Sequence, residues 1–226
     1  MLRLIEVSKS FDGLTVLDRI SLEIRKEKLG ILGPNGAGKT TLFNIISGFL
    51  KPDRGKIIFQ DKNIVGKKPS ELAKLGIIRT FQIMKVFENL TVEENLLAVS
   101  DDLSILKEFD LDAKKKELAR NLSQGELRRL SIAMAFAKRP KILLLDEPFS
   151  GLSRKEAEKI MRIIEEVGGN GTSIAIVEHR MRELFNVVER VVVLNCGKLV
   201  FDGNPEEVLE NRAVREAYFG SRYAKG

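Results

Sequence analysis

Nine consecutive residues, Gly33-Pro34-Asn35-Gly36-Ala37-Gly38-Lys39-Thr40-Thr41, have the composition of an anion cradle. Glycines let a backbone wrap so that successive N–H groups converge on phosphate oxygens. A helix opening here adds the positive end of its dipole. Lys39 brings a full cation to the outer phosphates of a polyphosphate, worth roughly 4 kcal/mol at 4 Å in an effective dielectric of 20, before desolvation. Thr40 offers a hydroxyl to Mg²⁺, and the spacing fits G-x-x-x-x-G-K-[ST]. Far downstream, the apolar run Ile142-Leu143-Leu144-Leu145 delivers Asp146 and Glu147 at its tip. Asp146 suits the shell of a Mg²⁺ ion, and Glu147 suits polarising a water for attack on the terminal phosphate. Adjacent carboxylates raise each other's pKa unless a cation lies between them and the phosphates, which Mg²⁺ supplies. The bland alternatives are a glycine turn before a helix and a strand end with solvated acids. The two motifs together point to a nucleotide hydrolase or switch.

The surrounding pattern supplies elements to position these groups. Leu4 to Val7 and Ser21 to Ile24 alternate as strands, with Asp12-Gly13 as a turn between them. Gly30 to Leu32 reads as a short buried strand, and a helix runs from about Gly38 to Gly48. Lys56 to Phe59 and Ile77 to Gln82 read as strands. From about 83 to 140 the pattern turns helical. Thr91-Val92-Glu93-Glu94 has capping-box spacing, and Ser123 to Lys138 carries an apolar stripe that Pro140 ends. Lys141 to Leu145, Thr172 to Val177 and Val191 to Leu194 are buried-type strands separated by helices. Such alternation argues a mostly parallel sheet covered by helices, with a binding crevice at the strands' C-terminal ends.

Three further features narrow the function: Leu122-Ser123-Gln124-Gly125-Glu126 at the start of a helix, Gln82 at a strand end, and His179 just after a strand. With them the chain resembles the ATP-binding cassette (ABC) ATPases over essentially its whole length. The resemblance implies an α/β fold with a P-loop NTPase core, a mostly parallel sheet, an N-terminal antiparallel β subdomain and an inserted α-helical subdomain. Residues 1–82 and 141–226 would form the nucleotide-binding core, and 83–140 the helical part. By the same resemblance Ser123, Gly125 and Glu126 belong to the signature that completes the ATP site of a second subunit in a head-to-tail dimer; the plain alternative for Ser123 is an N-cap. Gln82 is similar to the residue that contacts Mg²⁺ or the attacking water, and His179 to the histidine that senses the γ-phosphate. Phe11 matches the aromatic that stacks on adenine. ATP and Mg²⁺ are the implied cofactors. Two departures stand out. Gln124-Gly125-Glu126 replaces the common Gly-Gly-Gln, and Ser153 replaces a frequent aspartate.

A finer resemblance is to the ATPase subunits of branched-chain amino-acid importers. It rests on Asn44 to Phe49, Arg79-Thr80-Phe81-Gln82, Thr91 to Leu97, Val177-Glu178-His179-Arg180-Met181 and the tail from Asn204 through Gly220. Lipopolysaccharide-export ATPases look similar in the same regions, and a soluble iron–sulfur assembly scaffold is the reading from another class. The transporter reading implies transmembrane permease partners and a place on the inner face of the cell membrane.

Composition removes other classes. Among 226 residues there are one cysteine and one histidine, too few for a disulfide framework or a poly-histidine metal centre. No apolar run approaches the roughly 20 residues that span a bilayer. The formal charge of +6 comes from basic residues interspersed with acids, and there is no tryptophan. That pattern reads as solvated helix faces, with no direct nucleic-acid partner expected.

Overall fold

A computed structural model describes residues 1–82, 85–169 and 171–219. Ile83, where the sequence places the start of the helical part, and Gly220 in the tail lie outside them. In chain order the elements are β1 (Leu2–Phe11), β2 (Leu14–Ile24), β3 (Lys28–Leu32), α1 (Lys39–Ile46), β4 (Arg54–Phe59), β5 (Lys62–Asn63), α2 (Pro69–Leu75), β6 (Ile77–Arg79), α3 (Val92–Leu97), α4 (Ile105–Glu108), α5 (Gln124–Phe136), β7 (Ile142–Asp146), α6 (Arg154–Gly169), β8 (Ser173–Val177), α7 (Met181–Phe185), β9 (Arg190–Asn195), β10 (Lys198–Gly203) and α8 (Arg212–Phe219).

The strands form two sheets. An antiparallel sheet runs β2-β1-β4-β5, and a six-stranded sheet runs β10-β9-β3-β8-β7-β6. In the second, β6, β7, β8, β3 and β9 are parallel and β10 pairs antiparallel with β9. Two apolar cores divide its faces by the two-residue period of a strand. Ile142 and Leu144 join the core with the antiparallel sheet and α1, while Leu143 and Leu145 join the core with α5 and α6. The same parity holds in β9, where Val192 and Leu194 face one core and Val191 and Val193 the other. Burial on both faces explains the uninterrupted apolar runs.

Several boundaries differ from the sequence reading. β1 and β2 are longer than their alternating stretches because register shifts, with Glu6 and Arg19 at φ 49, break the period. The strand expected over Ile77 to Gln82 stops at Arg79. Beyond it, Arg128 takes up the carbonyls of Phe81 (3.3 Å) and Gln82 (3.2 Å), so the chain is satisfied outside the ladder. Finally, α5 begins after Ser123, its N-cap, and ends at Phe136, short of Lys138.

Candidate active site

The chemistry-bearing residues sit where the parallel strands end. The phosphate loop follows β3, Gln82 follows β6, Asp146 closes β7 and His179 follows β8. Glycine is required at two loop positions. Gly33 has φ 155, and a Cβ there would lie 2.3 Å from the Leu194 carbonyl oxygen. Gly38 has φ 105, and its Cβ would lie 2.7 Å from Leu17 Cδ2 and 2.8 Å from the Val16 oxygen. Gly197 N–H donates to the Ala37 carbonyl at 3.2 Å, so the β9–β10 turn also braces the loop. α1 starts from Gly38 with no side-chain cap and no acid in its first turn. Its N-terminal dipole is thus left to an incoming anion. Thr40 is exposed on that first turn and Thr41 half-buried. Lys39 Nζ donates to the Gly33 oxygen (2.6 Å) and the Pro34 oxygen (3.0 Å). Burial holds the Lys39 pKa below its ordinary value, against the opposing pull of Glu147 and Asp146.

The adjacent carboxylates have separate partners. Asp146 is buried and its Oδ2 accepts from Arg79 Nη2 at 2.7 Å. Arg79 also donates to Asn44 Oδ1 (2.6 Å) and Ser47 Oγ (3.2 Å) on α1 and its C-cap, and it lies over the rings of Phe43 and Phe81. One guanidinium therefore ties β6, β7 and α1 together. The chain itself thus supplies a cation to Asp146. Glu147 points elsewhere. Its Oε2 accepts from Gln82 Nε2 at 2.9 Å, and its Oε1 lies 3.7 Å from His179 Nδ1. Gln82, Glu147 and His179, far apart in sequence, thus form one cluster. Glu147 has φ 48, in the left-handed region.

The signature segment carries a different kind of helix start. Ser123 is the N-cap of α5: Glu126 N–H donates to Ser123 Oγ (3.3 Å), while the Ser123 N–H and hydroxyl both donate to Glu126 Oε2 at 2.8 Å. The plain N-cap reading of Ser123 is the one this geometry displays. Lys114 Nζ pairs with Glu126 Oε1 at 3.1 Å. Burial pushes the Glu126 pKa up, but the Ser123 N–H, Lys114 and the Ser123 hydroxyl outweigh it and hold it below its ordinary value. The two departures acquire structural partners. Gln124 packs on Gly151, where a Cβ would lie 2.6 Å from Gln124 Nε2, and Ser153 caps α6 through Glu156. Gly125 abuts the same Glu156.

Phe11 sits at the β1–β2 hairpin tip, 42% exposed, with Lys9 Nζ 5.3 Å from its ring centre. The following strand reaches Gly38 through Val16 and Leu17. The Phe11 ring itself is partly open to solvent. Among the described residues, the side-chain hydrogen bonds of Ser123 all involve Glu126, and none reaches Gly33 to Thr41. Sequence reasoning assigned no chemistry to Arg79, Lys114, Arg128, Glu178 or Arg180. A charge closing the apolar strand Ile77-Ile78-Arg79 was a usable signal for the first. The others became visible only through tertiary contacts.

A family model described as "ABC transporter" matches residues 17–150, and one described as "Branched-chain amino acid ATP-binding cassette transporter" matches residues 198–224. The probable branched-chain amino acid transport ATP-binding protein LivG of Archaeoglobus fulgidus is 34% identical over 96% of this chain and 94% of its own length. The lipopolysaccharide export system ATP-binding protein LptB of Haemophilus influenzae is 35% identical over 96% of each chain. A solved ATP-binding cassette of an ABC transporter, in its ADP conformation, superposes with a TM-score of 0.89 at 30% identity, covering 98% of this chain and 99% of its own. The glycine-built loop, the strand-tip acids and these likenesses agree: this chain belongs to the ATP-binding cassettes of ABC transporters, within the branched-chain amino acid transporter ATPases.

Proposed function

We propose that two such cassettes, facing head to tail, enclose MgATP between the Lys39 loop of one and the Ser123 end of α5 of the other, and that hydrolysis drives import of branched-chain amino acids. The observation that carries the catalytic reading is the cluster of Gln82, Glu147 and His179, with Gln82 Nε2 2.9 Å from Glu147, beside the Lys39 loop. Lys39 and the loop N–H groups hold the phosphates, and Phe11 stacks on the base. Glu147 accepts the proton of the attacking water, Gln82 orients that water, and His179 faces the departing γ-phosphate.

The donor set fits a small hard cation. Thr40 hydroxyl, Asp146 carboxylate and Gln82 amide are all oxygen ligands, and among the described residues no group of three or more His, Cys, Asp or Glu forms a cage. Those three residues would hold Mg²⁺, which when bound neutralises charge on the β- and γ-phosphates. In this scheme Ser123 serves a second cassette; among the described residues its side-chain hydrogen bonds all go to Glu126.

No helix among the described residues is long and apolar enough to cross a membrane. As an ABC transporter cassette the chain acts with transmembrane subunits, and we place it on the cytoplasmic face of the membrane. The match over residues 198–224 favours branched-chain amino acids as the solute. The comparable likeness to LptB makes lipopolysaccharide export the second reading. Reconstitution with its membrane subunits in vesicles decides between them. ATP-driven leucine uptake is expected. Lipopolysaccharide extraction without leucine uptake overturns the solute assignment and leaves the ATPase assignment standing.

A further inference from the structure

Glu178 has no part in the scheme above, yet its side chain is fully buried beside the reacting groups. A carboxylate is buried favourably only when donors meet its oxygens. Here Oε1 accepts the N–H groups of His179 (2.9 Å) and Arg180 (3.2 Å), and Oε2 accepts the N–H of Phe149 (3.1 Å). Arg180 grips the same loop with the opposite polarity. Its Nη1 donates to the carbonyls of Phe149 (2.8 Å) and Leu152 (3.1 Å), and its Nη2 pairs with Glu183. The residues flanking His179 therefore hold both the N–H and the C=O of Phe149, whose ring is itself buried.

That grip lies two residues from Glu147. A non-glycine residue at φ 48 is strained and persists only where its surroundings over-determine it. On one side the Glu147 N–H donates to the Val177 carbonyl at 2.9 Å. On the other, Ser150 N–H donates to the Glu147 carbonyl at 3.2 Å, and Phe149 is fixed by Glu178 and Arg180. We propose that Glu178 and Arg180 are positioning residues, a two-pronged clamp from the His179 segment onto residues 149–152 that holds Glu147 in its left-handed conformation. Base and histidine then move as one body. Because residue 151 packs on Gln124, the α5 end is seated against the same loop. The inference rests on Glu147 being the base.

Three variants test it in the full chain. Arg180→Met keeps the length and removes the donors, Arg180→Lys keeps one cationic donor, and Glu178→Gln keeps the shape. In steady-state ATP hydrolysis, Arg180→Met is expected to lower kcat about 10- to 100-fold while KM and the affinity for a fluorescent ATP analogue stay within about two-fold. Arg180→Lys should recover most of the loss, and a crystal structure of Arg180→Met should find Glu147 outside the left-handed region. Native kcat in Arg180→Met, a rise in KM alone, or no rescue by lysine overturns the clamp. If Glu178→Gln fails to fold by circular dichroism, the Arg180 pair decides the matter. Native turnover in Glu147→Gln would instead sink the base assignment, and the φ of Glu147 in Arg180→Met would still judge the clamp.

Discussion

Two helix starts in this molecule are assigned to the same kind of ligand and are built in opposite ways. α1 opens on Gly38, with no side-chain cap and no acidic residue in its first turn. α5 opens on Ser123, with Glu126 folded back onto the Ser123 N–H and hydroxyl and Lys114 set against the carboxylate. The first leaves its N–H groups uncommitted, and glycine geometry and a lysine shape the space in front of them. The second already holds an anion, supplied by its own chain. A phosphate reaching α5 must share or displace a carboxylate that is matched to the dipole. In the proposed scheme the tight grip belongs to α1, and α5 would add an adjustable contact suited to a surface that opens and closes.

The comparison can be broken most forcefully at α1. Lys39→Ala removes a charge pair of roughly 4 kcal/mol, so ATP affinity should fall about 100- to 1,000-fold, measured by displacement of a fluorescent nucleotide. Affinity near the native value would remove the distinction between the two helix starts. Next comes Glu147→Gln, expected to slow hydrolysis about 10²- to 10⁴-fold with binding intact and to accumulate an ATP-bound dimer on size exclusion. A variant that stays monomeric with ATP would argue that α5 receives no phosphate from a partner.

A smaller change sharpens the contrast. Glu126→Gln keeps the cap's shape and removes its charge, so ATP-driven dimerisation should strengthen by about two- to five-fold. The same substitution probes pH. The folded pKa of Glu126 is held below its ordinary 4.5, so its contribution to stability is present above that value and lost as pH falls through the lower folded pKa. Thermal melts of Glu126→Gln should lack this acid-side loss; melts that parallel the native protein would contradict it. The smallest effect is expected at α3, whose Thr91–Glu94 capping box serves no ligand in this scheme. Thr91→Ala should cost about 1 kcal/mol of stability and leave ATP affinity unchanged.

Legibility in the sequence followed whether a residue's task was local. The phosphate loop, the strand ending in Asp146 and the Thr91 cap are specified by residues a few positions apart, so spacing revealed them. Gln82 and His179 drew their meaning from family resemblance, and the structure places both beside Glu147. Arg79 closing an apolar strand was a signal, but its task was not readable because its partners Asn44 and Asp146 lie on other elements. Glu178 and Arg180 carried resemblance on either side of His179 but no assigned chemistry, since their partners lie on the backbone of residues 149–152. The β1 and β2 ends escaped the alternation count because bulges shift which face each residue meets.

The phosphate loop lies near the start of the chain, yet the Leu194 carbonyl and Gly197 brace it from near the end. A ribosome making this protein extrudes the loop roughly 10 to 30 s before residue 197 at ordinary elongation rates. Until then β3 lacks its β9 neighbour and the cradle lacks its floor. A nascent chain should therefore acquire its hold on nucleotide late in synthesis, as a late checkpoint that a truncated product never passes.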